Sequence, residues 1–146
     1  MNAMKCSEEV IAKIKEFEGL RLKPYRCSSN ILTVGYGHTG KDVFFGKTIT
    51  EEQAEQLLRD DLKYFERAIN SWRKSCTQNE FDALVCLVFN IGVYAFKEST
   101  LRKKIDANAP ISEIEDQWLR WCHSGGKKLA GLERRREWEI ELYKKR

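Results

Sequence analysis

Three residues capable of bond-breaking chemistry lie close together near the start of this 146-residue chain: Glu18, Cys27 and Thr33, in the segment EGLRLKPYRCSSNILTVGYGH that ends at His38. A carboxyl that holds its proton can donate it to a leaving oxygen, and a thiolate can take a proton from water or attack carbon itself. An acid and a second group on opposite sides of one bond are what hydrolytic cleavage needs. Alone, Thr33 is an ordinary strand threonine. The only histidines, His38 and His123, are far apart with no carboxylate at ligand spacing. No metal site and no cofactor are therefore expected.

The elements around Glu18 support its role as an acid. Ser7 can cap a first helix, with Glu8 and Glu9 favourable to its dipole. Val10, Ile11, Ile14 and Phe17 then form a helical stripe, and Gly19 supplies a stop. Glu18 stands seven residues after Ile11 and four after Ile14, on the apolar side, whereas Glu16 points to solvent. Desolvation and the negative end of a helix both favour the protonated carboxyl.

From Pro24 to Thr48 the residues become β-branched, aromatic and glycine-rich, which predicts two or three short strands with a turn near Ser28-Ser29-Asn30. Such a hairpin would bring Cys27 and Thr33 together at its open side. Thr50 and Gln53 make a capping box for a long helix carrying Ala54, Leu57, Leu58, Leu62, Phe65 and Ile69, suited to tie a small lobe to a larger one. Thr77 and Glu80 make a second capping box, ahead of an all-round apolar helix over Phe81–Ile91 that suggests the centre of the larger lobe. Further helices are expected near 97–107, 112–122 and 132–144, punctuated by Pro110 and Gly125-Gly126. The reading is α+β but mainly α: a helix over 7–18, a small β lobe over about 19–49, a linking helix over about 51–71 and a helical lobe over about 77–146.

Composition narrows the class. With 42% apolar and 33% charged residues the chain is an ordinary globular protein long enough for a real core. No apolar run approaches the roughly 20 residues of a membrane span, and the charged N-terminus does not read as a secretory segment. The five cysteines, at 6, 27, 76, 86 and 122, have no CxxC spacing and are expected to be mostly reduced, with Cys86 in the core. The net charge is +4, and Lys127, Lys128, Arg134, Arg135, Arg136, Lys144, Lys145 and Arg146 form a basic tail. That tail reads as a solvated helix face or a surface for a polyanion. No helix-turn-helix, zinc or RNP-like signature points to nucleic acid, and no nucleic-acid partner is expected.

The order Glu18, Cys27, Thr33, followed by Gly-Tyr-Gly-His, resembles the catalytic segment of the phage-type lysozymes, the T4-lysozyme-like endolysins. Their pattern is Glu, eight residues, Asp or Cys, five residues, Thr. The likeness continues through Phe89-Asn90-Ile91-Gly92, Phe96, Ser99-Thr100-Leu101, Arg120-Trp121 and Gly131-Leu132, and covers nearly the whole chain. It implies a lysozyme-like two-lobed fold with a small β-sheet lobe and a helical lobe joined by a long helix. The implied activity is hydrolysis of the β-1,4 bond between N-acetylmuramic acid and N-acetylglucosamine in peptidoglycan, leading to host cell lysis.

By that resemblance Glu18 is the general acid, Cys27 activates water or acts as nucleophile, and Thr33 positions the water. Thr39, Phe89 and Ser99 would contact the sugar chain, and His38 would brace the cleft. A thiol is a weak base until its pKa is lowered, and neighbouring Arg26 is one group that could lower it. Inversion with thiolate-activated water and a transient covalent adduct both remain open. A disulfide between Cys27 and another cysteine would switch such an enzyme off. The alternative is a catalytically impaired module that only binds peptidoglycan. The resemblance further implies a monomer without stable membrane insertion, held in the host cytoplasm until a holin-type pore lets it reach the periplasm and cell wall.

Overall fold

The computed structural model describes residues 3–73 and 75–146. It is mainly helical with a small antiparallel sheet, in the order α1 (Glu8–Glu18), β1 (Arg21–Arg26), β2 (Leu32–Gly35), β3 (His38–Thr39), α2 (Glu51–Trp72), α3 (Gln78–Ile91), α4 (Val93–Lys97), α5 (Thr100–Asp106), α6 (Ile111–Leu119), β4 (His123–Ser124), β5 (Lys127–Lys128) and α7 (Ala130–Lys144). The chain forms two compact units. One is Ser7–Tyr64; the other is Phe65–Arg146 with the segment ahead of Ser7. Helix α2 therefore contributes to both.

In the first unit Ser7 Oγ accepts from the Val10 N–H and starts α1, whose Val10, Ile11 and Ile14 are buried. Gly19 ends the helix, its N–H donating to Lys15 O. Strands β1, β2 and β3 pair antiparallel in that order. The β1–β2 register runs from Arg26↔Leu32 and Tyr25↔Thr33 to Arg21↔Gly35, so Leu22–Pro24 face only Val34 across the ladder. Pro24 has no N–H to give to a ladder bond, which accounts for a bulge there. The Thr50–Gln53 box opens α2: Gln53 N donates to Thr50 Oγ1 at 3.1 Å and Thr50 N to Gln53 Oε1 at 2.9 Å. Between α1 and α2, Arg59 makes a two-pronged pair with Glu8 (2.9 and 2.6 Å), and Lys15 is hydrogen-bonded to Glu55.

In the second unit the Thr77–Glu80 box opens α3, in which every residue from Phe81 to Val88 is buried. Burying each such Leu, Val or Phe side chain contributes about 1.5–3 kcal/mol. Helix α7 packs along α3. The helix expected near 97–107 is α5, which Ser99 caps through the Arg102 N–H; ahead of it lies a short helix that was not expected, α4, which stops at Lys97. The helix expected to reach 122 stops at Leu119, and a hairpin, β4–β5, turns at Gly125-Gly126.

The solvated face expected of the basic tail holds for Lys127, Lys128, Arg134, Lys144, Lys145 and Arg146, all exposed, but is corrected for two arginines. Arg135 and Arg136 are buried with Glu139. Arg136 Nε lies 2.9 Å from Glu139 Oε1, and its guanidinium also donates to Asn90 Oδ1 (2.8 Å) and Trp121 O (3.3 Å). Trp118 Nε1 donates to the same Glu139 oxygen at 3.0 Å. A run of arginines looks wet in one dimension, but α7 turns two of them inward, where a shared carboxylate meets their charge. Such a cluster is tolerated only because its members answer one another.

Candidate active site

Glu18 is the last residue of α1 and is half-buried, while Glu16 is exposed and pairs with Lys13 at 3.3 Å. The turn after β2 closes over the Glu18 carboxyl. Gly37 has φ +82°, and a Cβ built there would lie 2.8 Å from Glu18 Oε1. Only glycine gives the turn that backbone and leaves the carboxyl its place.

Cys27 follows β1 and opens the turn to β2. Its N–H donates to Ile31 O (3.0 Å) and its carbonyl accepts from Asn30 N–H (2.8 Å). Asn30 completes the turn in the left-handed region, at φ 61°, a conformation asparagine adopts more readily than most residues. The Ile31 N–H, then that of Ser29, pull the thiol below its ordinary pKa; partial desolvation opposes them, and the Thr33 hydroxyl adds to the lowering. Arg26, the neighbour expected to help, instead donates to Asn30 O (3.1 Å) and lies over the Phe45 ring.

Thr33 is buried on β2, and its Oγ1 donates to Ile31 O at 2.8 Å. A hydroxyl has one proton, so it can serve this carbonyl or the Cys27 thiolate, one at a time. The hairpin thus brings Cys27 and Thr33 together. Thr39, exposed on β3, is the cross-strand partner of Thr33.

His38 sits between two carboxylates. Its Nδ1 is 2.8 Å from Asp61 Oδ2 on α2, and its Nε2 is 3.0 Å from both Asp42 oxygens. Burial is the largest single influence and disfavours the imidazolium, but the hydrogen bonds and charges of Asp61 and Asp42 outweigh it and raise the His38 pKa. The result ties β3 to α2 and to the following loop. Neither aspartate was singled out from sequence. Asp61 carried a readable signal, four residues after Leu57 and four before Phe65, the same phase argument that marks Glu18.

Phe89 and Ser99 belong to the second unit. Phe89 is half-buried on α3, its ring edge-on to Phe65 at 5.2 Å between centroids. Ser99 is buried; its hydroxyl donates to Phe96 O (2.6 Å) and accepts from Arg102 N–H (3.0 Å), so both hydrogen-bonding directions are engaged within the chain. All five cysteines are free thiols, with Cys86 and Cys122 buried. No helix among the described residues is long and apolar enough to cross a membrane.

The carboxyl that closes the first helix and the small sheet after it belong to a chain of the lysozyme class of glycoside hydrolases, as its relatives show. Residues 15–139 match the Phage lysozyme family, and the chain belongs to that family. It is 42% identical over 143 residues to an endolysin of Bacillus phage B103, covering 96% of this chain but spanning only 54% of that relative. It is 41% identical to an endolysin of Acyrthosiphon pisum secondary endosymbiont phage 1, over 96% of this chain and 98% of the other. Among solved structures, the muramidase domain of SpmX from Asticaccaulis excentricus superposes with a TM-score of 0.87 at 35% identity, over 97% of this chain and 99% of that domain.

Proposed function

We propose that this chain is a muramidase that hydrolyses the β-1,4 bond between N-acetylmuramic acid and N-acetylglucosamine in bacterial peptidoglycan. Glu18 protonates the leaving glycosidic oxygen. Cys27, as thiolate, draws the proton from an attacking water or attacks the anomeric carbon, and Thr33 orients that water. Thr39, exposed beside Thr33, and Phe89 contact the glycan; Ser99 would do so only by giving up a bond of its helix cap. His38 holds the strand next to the chemistry in place. The protein acts as a monomer and reaches the wall through a holin-type pore, so that wall cleavage lyses the host.

What supports this reading is the match of residues 15–139 to the Phage lysozyme family, together with Glu18 at the end of the first helix and Cys27 and Thr33 in one hairpin. The turn's backbone also favours the Cys27 thiolate, the form that a base or nucleophile needs. The relatives named endolysin and muramidase supply the substrate class. The test is turbidity clearing of outer-membrane-permeabilised cells by wild type and Glu18→Gln. Loss of clearing in the variant is expected, and equal clearing by both would overturn the proposal.

A further inference from the structure

The Ser7–Tyr64 unit carries a second surface that the hydrolytic reading does not use. Phe44 and Phe45 are 54% and 61% exposed, adjacent large apolar side chains left in water. They are presented by a formed turn: Lys47 N donates to Phe44 O at 3.3 Å, and Gly46, at φ +91°, takes the position of a type II turn that needs a positive φ. Phe45 thus stands at the tip. The loop is anchored behind by Ile49 N donating to Leu22 O at 2.9 Å. Beneath Phe44 lies a cavity of about 230 Å³ lined by apolar Pro24, Val34, Val43, Ile49 and Leu57, with Asp42, Lys47, Gln53 and Gln56 as its polar lining.

This surface is not part of the candidate active site. Val34 lines the cavity and follows Thr33 on β2, and successive strand residues point to opposite faces of a sheet. The cavity therefore lies on the face turned away from the Thr33 side chain.

Its sheet-and-loop side is cationic, while α2, which lines the cavity through Gln53, Gln56 and Leu57, carries exposed Glu51 and Glu52 beside it. Between residues 19 and 50 there are five cations, Arg21, Lys23, Arg26, Lys41 and Lys47, all exposed, and one carboxylate, Asp42, engaged by His38. Two of the cations touch the aromatic pair: Arg26 lies 5.6 Å from the centre of the Phe45 ring and Lys47 5.5 Å from that of Phe44. Aromatic rings at a loop tip, a mainly apolar recess beneath them and a cation against each ring match an interface with a hydrocarbon interior and an anionic rim. Aromatic side chains settle at the headgroup level of a bilayer, and nearby lysines and arginines are drawn to anionic lipid.

We infer that the Phe44–Phe45 turn, with Arg26, Lys41 and Lys47 around it, is a docking surface for anionic phospholipid bilayers. Docking is peripheral: the rings enter the headgroup region while the cations meet lipid phosphates. The inference does not depend on the muramidase reading. It is tested by co-sedimenting the full chain with vesicles of phosphatidylethanolamine and phosphatidylglycerol, with phosphatidylcholine vesicles in parallel.

The expected result is binding to the anionic vesicles, little to the neutral ones, and loss near 1 M salt, where the screening length is about 3 Å. Phe44→Ser with Phe45→Ser should weaken binding at least about tenfold. Lys41→Glu with Lys47→Glu should weaken it about 25-fold or more, at roughly fivefold per basic residue. Both pairs of side chains are exposed, so circular dichroism should report an unchanged fold. Absence of wild-type binding to anionic vesicles, or variants that bind like wild type, would overturn the inference. So would variants that lose binding to purified sacculi but still bind vesicles, which would make the surface a wall contact.

Discussion

The α-carbon of Gly37 stands so close to Glu18 that the smallest side chain would crowd the carboxyl, with a Cβ 2.8 Å from Oε1. The candidate acid is therefore positioned by the backbone of a turn 19 residues further along the chain as well as by its own helix. Gly37→Ala should push the carboxyl aside and also cost roughly 1–2 kcal/mol of stability from the left-handed backbone. On the muramidase reading the variant stays folded and its clearing rate falls far more than its melting temperature. A rate loss no larger than the stability loss explains would count against this placement.

Cys27 should be the most reactive of the thiols whose environments diverge. Burial, with help from nearby carboxylates, pushes Cys6 and Cys86 upward, and burial also raises Cys76, while backbone donors lower Cys27. A group with a lowered pKa is ionised at lower pH, so iodoacetamide should modify Cys27 before those three, and below the ordinary thiol range. Peptide mapping after brief exposure checks this. Cys27→Ala should reduce clearing by at least about 100-fold, and Cys27→Asp should retain it; a gain by Cys27→Asp from an inactive wild type would instead favour a pure binding module.

His38 gives the fold a pH dependence of known sign. Its folded pKa is raised above the ordinary 6.5, so the protonated ring contributes stability fully below about that pH and loses it as pH rises through the folded value. Wild type should therefore lose melting temperature on going from pH 6 to pH 8 relative to His38→Gln, whose slope in that window should be flatter. Parallel slopes would show that the Asp42–His38–Asp61 bridge does not carry charge.

Glu139 is the carboxylate that answers the buried Arg136. Glu139→Ala should cost about 3–5 kcal/mol, because it strips a buried cation of its partner. Glu139→Gln should cost less, since the amide oxygen can still accept from Trp118. Urea denaturation of the three proteins decides it.

Features that depend on near neighbours in sequence were the legible ones. The phase of Glu18, both capping boxes and the Cys27–Thr33 hairpin follow from spacings of a few residues, which backbone geometry turns directly into contacts. The partners of His38 were harder: Asp61 is 23 residues away on another element, and only its place on the apolar stripe of α2 marked it. The burial of Arg135 and Arg136 was missed for a different reason. Arg136 stands four residues after Leu132 and four before Ile140, the phase that marks Asp61, but a run of three arginines reads as a wet face. The short helix α4 was missed because Gly92, which reads as a stop for α3, also opens the next helix.

The unbroken burial of Phe81–Val88 has a dynamic consequence. Their amides sit at the centre of one unit, whereas β1, β2 and β3 are two to six residues long with exposed positions in β1 and β3. Protection against hydrogen exchange follows the free energy of the opening that exposes each amide. Deuterium should therefore enter the sheet carrying the candidate chemistry through small local openings long before it reaches α3, whose exchange would report the unfolding of its whole unit. The segment with the chemistry is the one the protein can loosen without unfolding.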